Sequence, residues 1–221
     1  MKIVILGDIH GKWDKANAII SHELEDNGVA LSTGDFCNYD YKPWKNKKLV
    51  FVHGNHDNPS VLGELFRQPK DLIALRAGDV YTLPDNTRVL GFPGVYSPHF
   101  FNHGEEVSKF YTVKDVEKAL QTDVPIDILL SHEAPLGVVQ KNGADVGKEH
   151  ITRLIEELKP RLAIFGHHHN FYESRVGQTE IIGMGYPHHG YAILDTESYS
   201  LDQIKGLQDG QNKPYKFSWE R

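Results

Sequence analysis

A single cysteine, Cys37, stands among the 221 residues, so no internal disulfide can form, and a reduced, cytoplasmic setting is expected. No apolar run is long enough to span a bilayer, so no membrane partner is expected. The opening Met1-Lys2-Ile3-Val4-Ile5-Leu6-Gly7-Asp8 is too short even for a secretion signal. Basic charge is scarce: 24 Lys and Arg against 30 Asp and Glu leave a net −6, which disfavours an extended duplex nucleic acid as partner. No repeat and no low-complexity linker divides the chain. With 39% hydrophobic and 24% charged residues it can bury a full core, and a single domain is expected over 1–202, followed by a polar extension over 203–221. Within that extension Tyr215, Phe217 and Trp219 alternate at strand period, which suits an edge strand or contact with a second copy in a homo-oligomer.

What the chain has in excess is histidine, with 13 imidazoles and no other compositional bias. Many stand in five ordered segments: Gly7-Asp8-Ile9-His10-Gly11, Gly34-Asp35, Gly54-Asn55-His56-Asp57, Ser131-His132 and Gly166-His167-His168-His169. Taken singly, the bland reading wins, because Gly-Asp is a common turn and a lone histidine at a strand end is more often a satisfied core group. Taken together they supply carboxylates, an amide oxygen and imidazoles, without a thiolate. That set suits Mn, Fe, Zn or Ni better than Ca or Mg, and the glycines beside several of these residues let the backbone turn sharply.

The surrounding pattern places these segments at strand ends. Residues 2–7, 29–32, 49–52, 127–130 and 162–165 are short apolar runs, and each leads into one of the motifs. Trp13, Ala16, Ile20 and Leu24 recur at helical spacing before Gly28, while Ile151, Leu154, Ile155 and Leu158 form a second stripe stopped by Pro160. Strands over 78–83 and 88–92 flank the turn Pro84-Asp85-Asn86, and a helix over 112–121 opens on Thr112 and Asp115, spaced as a capping box. Strands near 171–175, 180–184 and 191–195 follow. Alternation of strand and helix predicts an α/β core whose strand C-termini gather on one edge.

These motifs resemble the calcineurin-like metallophosphoesterase family, whose pattern is Asp-x-His, Gly-Asp, Gly-Asn-His-Asp/Glu, His and Gly-His-x-His. The resemblance spans residues 7–169 and implies a sandwich of two mixed β-sheets flanked by α-helices. It also implies one metal on Asp8, His10, Asp35 and His169 and another on Asp35, Asn55, His132 and His167, with Asp35 bridging. Two cations about 3.5–4 Å apart can share a hydroxide and clamp the attacking and leaving oxygens of an in-line displacement. His56 is the natural catalytic group beside them, assisting the leaving group. Asp57 either orients His56 or caps the turn at Asn58-Pro59. His168, in an extended segment, would face away from its neighbours.

Asp35 is followed by Phe36-Cys37-Asn38-Tyr39 and lacks the Arg-Gly of the protein-phosphatase branch, which argues against phosphoprotein substrates. Candidate substrate-binding residues are Asn38, Tyr41, Lys42 and Trp44 in an aromatic and lysine-rich stretch, and Tyr96 and His99 in the segment 92–111; for both stretches the alternative is a packed loop. Cys37 is read as a small buried hydrophobe, with a redox role as the alternative. His188 and His189 either line the pocket or make a plain turn. The run from Gly91 to Phe100 and residues 125–132 are similar to the RNA lariat debranching branch, which cleaves a 2′,5′ phosphodiester, although Asp8 stands where that branch commonly has cysteine. The expected function is hydrolysis of a nucleotide-type or small phosphodiester. The alternatives are a phosphomonoesterase on nucleotides or small metabolites, a catalytically weak metal-binding scaffold, and a nuclease subunit.

Overall fold

The computed structural model describes residues 1–38, 44, 46–67, 71–98 and 108–205, with the backbone of 215–217. The elements, in order, are β1 Lys2–Leu6, α1 Trp13–Glu23, β2 Val29–Ser32, β3 Lys48–Val52, α2 Pro59–Arg67, β4 Leu72–Leu75, β5 Val80–Thr82, β6 Arg88–Phe92, β7 Val95–Tyr96 and β8 Phe110–Tyr111. There follow α3 Val113–Leu120, β9 Ile128–Ser131, β10 Gln140–Lys141, β11 Ala144–Asp145, α4 Glu149–Leu158, β12 Leu162–Phe165, β13 Tyr172–Val176, β14 Thr179–Gly183, β15 Gly190–Asp195, β16 Ser200–Lys205 and β17 Tyr215–Phe217. Among the described residues no helix is long and apolar enough to cross a membrane.

Two mixed sheets carry the fold. One has seven strands in the order β17-β16-β15-β1-β2-β3-β4, the other six in the order β13-β14-β12-β9-β6-β5. In each sheet the central strands are parallel, β1 to β4 in one and β6, β9, β12 and β14 in the other. Antiparallel strands close the flanks: β15, β16 and β17 on the first sheet, β5 and β13 on the second.

Near-continuous aliphatic strands make sense in this arrangement because both faces of each sheet are covered. Along β1, Ile3 and Ile5 point into the layer between the sheets, where they join Val50, Val89, Leu130 and Ile164. Val4 and Leu6 point outward and meet Trp13, Ala16 and Ile20 of α1 and Leu62 of α2. On the other sheet, Leu129 and Phe165 meet Val116 of α3 and Leu154 of α4 in the same way. The result is four layers, helix, sheet, sheet, helix, with a core on each side of both sheets.

Several local expectations change. The Asn58-Pro59 pair is the entrance to α2 and not a free turn: Asn58 Oδ1 accepts the Ser60 N–H at 3.0 Å, and Pro59 sits where its missing N–H costs nothing. Helix α1 ends at Glu23, and Leu24 is already extended (φ −98°, ψ 135°), so Gly28 belongs to the following turn. Strands β4 and β16 lie outside the sequence reading altogether. Helix α3 begins as the spacing predicts, with the Thr112 N–H and hydroxyl both donating to Asp115 Oδ2 at 2.8 and 3.0 Å.

Replacing Asp115 with alanine removes that partner and the favourable charge in the first turn. Urea unfolding is expected to show a loss of about 1 kcal/mol for Asp115→Ala and a smaller loss for Asp115→Asn. Equal stability of all three proteins would show that the box does not hold the helix.

Candidate metal centre

The loops after β1, β2, β3, β9 and β12 leave the C-terminal ends of parallel strands and meet where the two sheets come together. Contacts between sheets fix them. His132 Nδ1 lies 2.7 Å from the Thr33 carbonyl and the His167 N–H donates to Asp8 Oδ2 at 2.6 Å, while within the second sheet the Gly166 N–H donates to the His132 carbonyl at 3.1 Å. Two glycines let the side chains close in: a Cβ at Gly54 would collide with Asp35 and His132, and one at Gly166 with Asp8 and Thr33.

The backbone is bent into the left-handed region at four of the expected ligands, His10 (φ 42°), Asp35 (48°), His167 (65°) and His169 (58°). Such strain persists only where surrounding contacts over-determine it, and it clusters at functional sites. It also corrects the reading of the histidine motif as extended. With His167 and His169 both left-handed, His168 is half-buried, packed edge-on to Phe165 and Tyr172.

The side chains form two groups whose ligand atoms lie within 4.8 Å of one another: Asp8, His10, Asp35 and His169, and Asp35, His132 and His167. Asn55 Oδ1 joins the second, 3.4 Å from His132 Nε2. Asp35 belongs to both groups. Its Oδ1 accepts the His56 N–H at 2.8 Å, while its Oδ2 is buried with no hydrogen-bond partner, 3.5 Å from both His10 Nε2 and His132 Nε2.

Proton accounting shows what the groups require. The Thr33 carbonyl can only accept, so His132 carries its hydrogen on Nδ1 and turns a lone pair from Nε2 toward Asp35 Oδ2 and Asn55 Oδ1, which also only accept. In the other group His10 Nε2 and His169 Nε2 face each other at 3.1 Å. A proton shared between two of these atoms, or a cation at their centre, meets the converging lone pairs, and the residues present fit a pair of metal ions with oxygen and nitrogen donors.

The electrostatics agree. Burial pushes Asp8 up to about 6, with the Asp35 charge adding to the rise against His132 and two hydrogen bonds. Burial acts on Asp35 too, but His10, His132 and the His56 N–H outweigh it and hold this carboxyl well below the usual range. Burial also lowers His167, to about 3, and lowers His169, so both stay neutral and keep lone pairs. His10 is raised, chiefly by Asp35; for His132 burial opposes, but Asp8 and Asp35 raise it overall. On these two imidazoles protons can take the place of cations.

His56 is exposed at the mouth, its ring 5.2 Å from that of His10. Asp57 has another task than the sequence suggested: fully buried, it accepts N–H bonds from Asp35 and Gly54 at Oδ2 (2.9 and 2.8 Å) and from Phe36 at Oδ1 (2.8 Å). It staples the loop after β2 to the loop after β3. Two residues absent from the sequence reading complete the site. The Thr33 hydroxyl donates to Asp8 Oδ1 at 2.7 Å, and the Tyr186 hydroxyl lies 2.7 Å from His169 Nδ1. A hydroxyl residue directly before Gly34-Asp35 was the only sequence signal for Thr33.

The substrate-binding candidates fare differently. Trp44 is buried in the core under α1, because an indole there gains more from packing than from water, and this corrects its assignment to the substrate. Tyr96 is half-buried, its ring 4.3 Å from His150 and 5.6 Å from Tyr111. Asn38 is exposed near the mouth, its carbonyl accepting the Trp13 indole N–H at 2.7 Å. Tyr41, Lys42 and His99 lie outside the described residues. Cys37, read as a buried hydrophobe, is exposed in a left-handed turn (φ 64°) with Sγ 3.2 Å from His10 Nδ1. His188 and His189 occupy a turn.

With this geometry in place, a family model for the calcineurin-like phosphoesterases matches residues 1–171. The chain belongs to the calcineurin-like phosphoesterase family. Among relatives of this phosphoesterase, the lariat debranching enzyme of Entamoeba histolytica is 25% identical over 245 aligned positions, covering 83% of this chain and 68% of that protein. The lariat debranching enzyme of Arabidopsis thaliana is 23% identical, covering 76% of this chain and only 54% of that protein. Two solved structures share the fold: TT1561 of Thermus thermophilus, with TM-score 0.64, 14% identity and coverage of 92% and 98% of the two chains, and a putative 5′-nucleotidase from Staphylococcus aureus, with TM-score 0.57, 16% identity and coverage of 100% and 55%.

Two outcomes are expected. Removing the Asp57 carboxylate leaves three buried N–H groups unpaired, so Asp57→Ala should lose about 3 kcal/mol or more in urea unfolding, with Asp57→Asn losing less; a loss below about 1 kcal/mol would remove the staple from the account. Cation binding competes with protons on His10, His132 and Asp8, so calorimetric affinity for Mn or Zn should fall as the pH drops through the imidazole range and go on falling below a pH of about 6. Affinity that holds unchanged down to a pH of about 4 would exclude Asp8 as a ligand.

Proposed function

We propose that this phosphoesterase is a phosphodiesterase acting on a nucleotide-type diester. The observation that carries the reading is the buried Asp35 Oδ2, unpartnered between two clusters of lone pairs, with the exposed His56 imidazole standing over them. One cation would be held by Asp8, His10, Asp35 and His169, the other by Asp35, Asn55, His132 and His167. When bound, such ions neutralise the phosphate and lower the pKa of a water nucleophile.

The chain's own residues do the remaining work. The His56 backbone N–H on Asp35 Oδ1 fixes the root of the side chain, so the imidazole reaches the ester from a defined point beside His10. There it donates a proton to the leaving alkoxide oxygen and stabilises charge on the phosphoryl oxygens. Asp57 holds the two loops that carry Asp35 and His56 in register, and acts as a positioning residue. The two lariat debranching enzymes among the relatives support a diester over a monoester.

The test is hydrolysis of a chromogenic diester and the matching monoester by metal-stripped protein refilled with Mn, Fe, Zn, Ni or Mg. Diester turnover should require metal, and His56→Ala should lower kcat by about 10²–10⁴ while cation binding by calorimetry stays intact. Turnover of the monoester alone would make the protein a phosphomonoesterase. Absence of both activities in protein that binds two cations would make it a scaffold.

A further inference from the structure

The chain that leaves β6 runs beside two of the loops that carry the second cluster. The Phe92 carbonyl accepts the His132 N–H at 3.2 Å, the Gly94 N–H donates to the His53 carbonyl at 2.8 Å, and the Tyr96 N–H donates to Glu133 Oε2 at 3.0 Å. His53 leads into Gly54-Asn55-His56, and Glu133 directly follows His132. Three hydrogen bonds thus tie the strand of Tyr96 to the edge of that cluster.

Glu133 is buried, and hydrolysis as described above makes no use of it. Its two oxygens serve different elements. Oε2 accepts the Tyr96 N–H from β7 and, at 2.8 Å, the Tyr111 hydroxyl from β8, while Oε1 lies 3.6 Å from Lys148 Nζ at the entrance of α4. The Lys148 N–H donates to the Ala134 carbonyl at 2.9 Å, so that entrance is pinned to the loop of His132 as well. Each element that Glu133 joins presents a ring: Tyr96 from β7 and His150 from the first turn of α4, with centroids 4.3 Å apart and planes at 56°. Tyr111 backs them, buried, 5.6 Å from Tyr96 and 6.0 Å from His150. An apolar side chain could fill the place of Glu133 at less cost in desolvation, whereas a carboxylate fixes direction as well as distance.

Tyr96 and His150 are half-buried, so the pair keeps surface open to solvent. With the Lys148 charge matched by Glu133, that surface suits the flat face of an uncharged base, and every base has such a face. We propose that Glu133 is a positioning residue that sets Tyr96 and His150 beside the metal clusters as the surface that takes the base of a nucleotide diester. This rests on the phosphodiesterase reading and narrows its substrate class. A diester without a base would engage the clusters alone.

Two measurements test it. By calorimetry on metal-loaded His56→Ala protein, thymidine 5′-monophosphate should bind about tenfold more tightly than methyl phosphate. Adding Tyr96→Ala or His150→Ala should cut that advantage to about threefold or less. Glu133→Ala should cut it as far, and should add nothing to the loss when combined with Tyr96→Ala, because it acts through that ring. Glu133→Gln keeps an acceptor for the Tyr96 N–H and the Tyr111 hydroxyl and should retain about half of the advantage. Equal affinities for the two ligands, or an advantage that survives both ring substitutions, would overturn the base surface. A Glu133 that only supports the fold would weaken both ligands alike and leave their ratio near about tenfold, which would overturn its positioning role.

In the wild-type protein the p-nitrophenyl ester of thymidine 5′-monophosphate should show about tenfold higher kcat/KM than methyl p-nitrophenyl phosphate, through KM. If neither ester is cleaved, the phosphodiesterase reading fails while the calorimetry still decides the base surface. If both are cleaved equally and the affinities are equal, the base surface alone fails.

Discussion

Two carboxylates, Asp8 and Asp35, are buried where the sheets meet, and a buried charge costs several kcal/mol per ion unless it is matched. The architecture of the site is the set of groups that match them. Asp8 receives the Thr33 hydroxyl and the His167 N–H; Asp35 receives the His56 N–H and the neighbourhood of two imidazoles, with one oxygen left unpartnered. Their proton affinities are driven apart: burial pushes Asp8 upward, with the Asp35 charge adding to the rise, while His10, His132 and the His56 N–H hold Asp35 down against its own burial. Metal ions would match both charges at once, which is why the same residues make a good ligand set.

Matching the charges imposes conditions on the backbone. Left-handed residues at His10, Asp35, His167 and His169 aim side chains inward from loops that leave parallel strands, and Gly54 and Gly166 let neighbouring chains come within contact. Asp57 holds two of those loops together from beneath. Neither sheet has the site alone. The contact of His132 with the Thr33 carbonyl joins β9 to β2, and that of the His167 N–H with Asp8 joins β12 to β1, so the packing of the sandwich sets ligand geometry directly.

Legibility in the sequence followed the range of the interaction. Strands β1, β2, β3, β9 and β12 were readable because each is an apolar run leading into a polar glycine motif, and α3 because Thr112 and Asp115 interact within one turn. Helix α2 was not, since Asn58-Pro59 reads equally as a turn or as a cap followed by the first helical residue, and only packing of Leu62 on the sheet chooses. Trp44 lay in a lysine-rich stretch that resembles a stacking surface, yet the layer under α1 had room for an indole. Cys37 went the other way, since its left-handed turn carries the thiol outward to His10.

By itself the sequence determined the kinds of donor atom, their order along the chain and their attachment to strand ends, because these depend on residue identity and on hydrophobic runs a few residues long. That much implied a two-metal ligand set and an α/β core, and the sandwich of two sheets came with the family resemblance. Only the tertiary structure decided which groups are spent on one another and which remain free. Asp57 is consumed by three backbone N–H groups, Thr33 and Tyr186 enter as partners of ligands, and Asp35 Oδ2 and His188 Nδ1 are left unpartnered. Those outcomes turn on distances of about 3 Å between residues as much as 159 positions apart, and such distances follow from how two sheets pack and not from any local pattern.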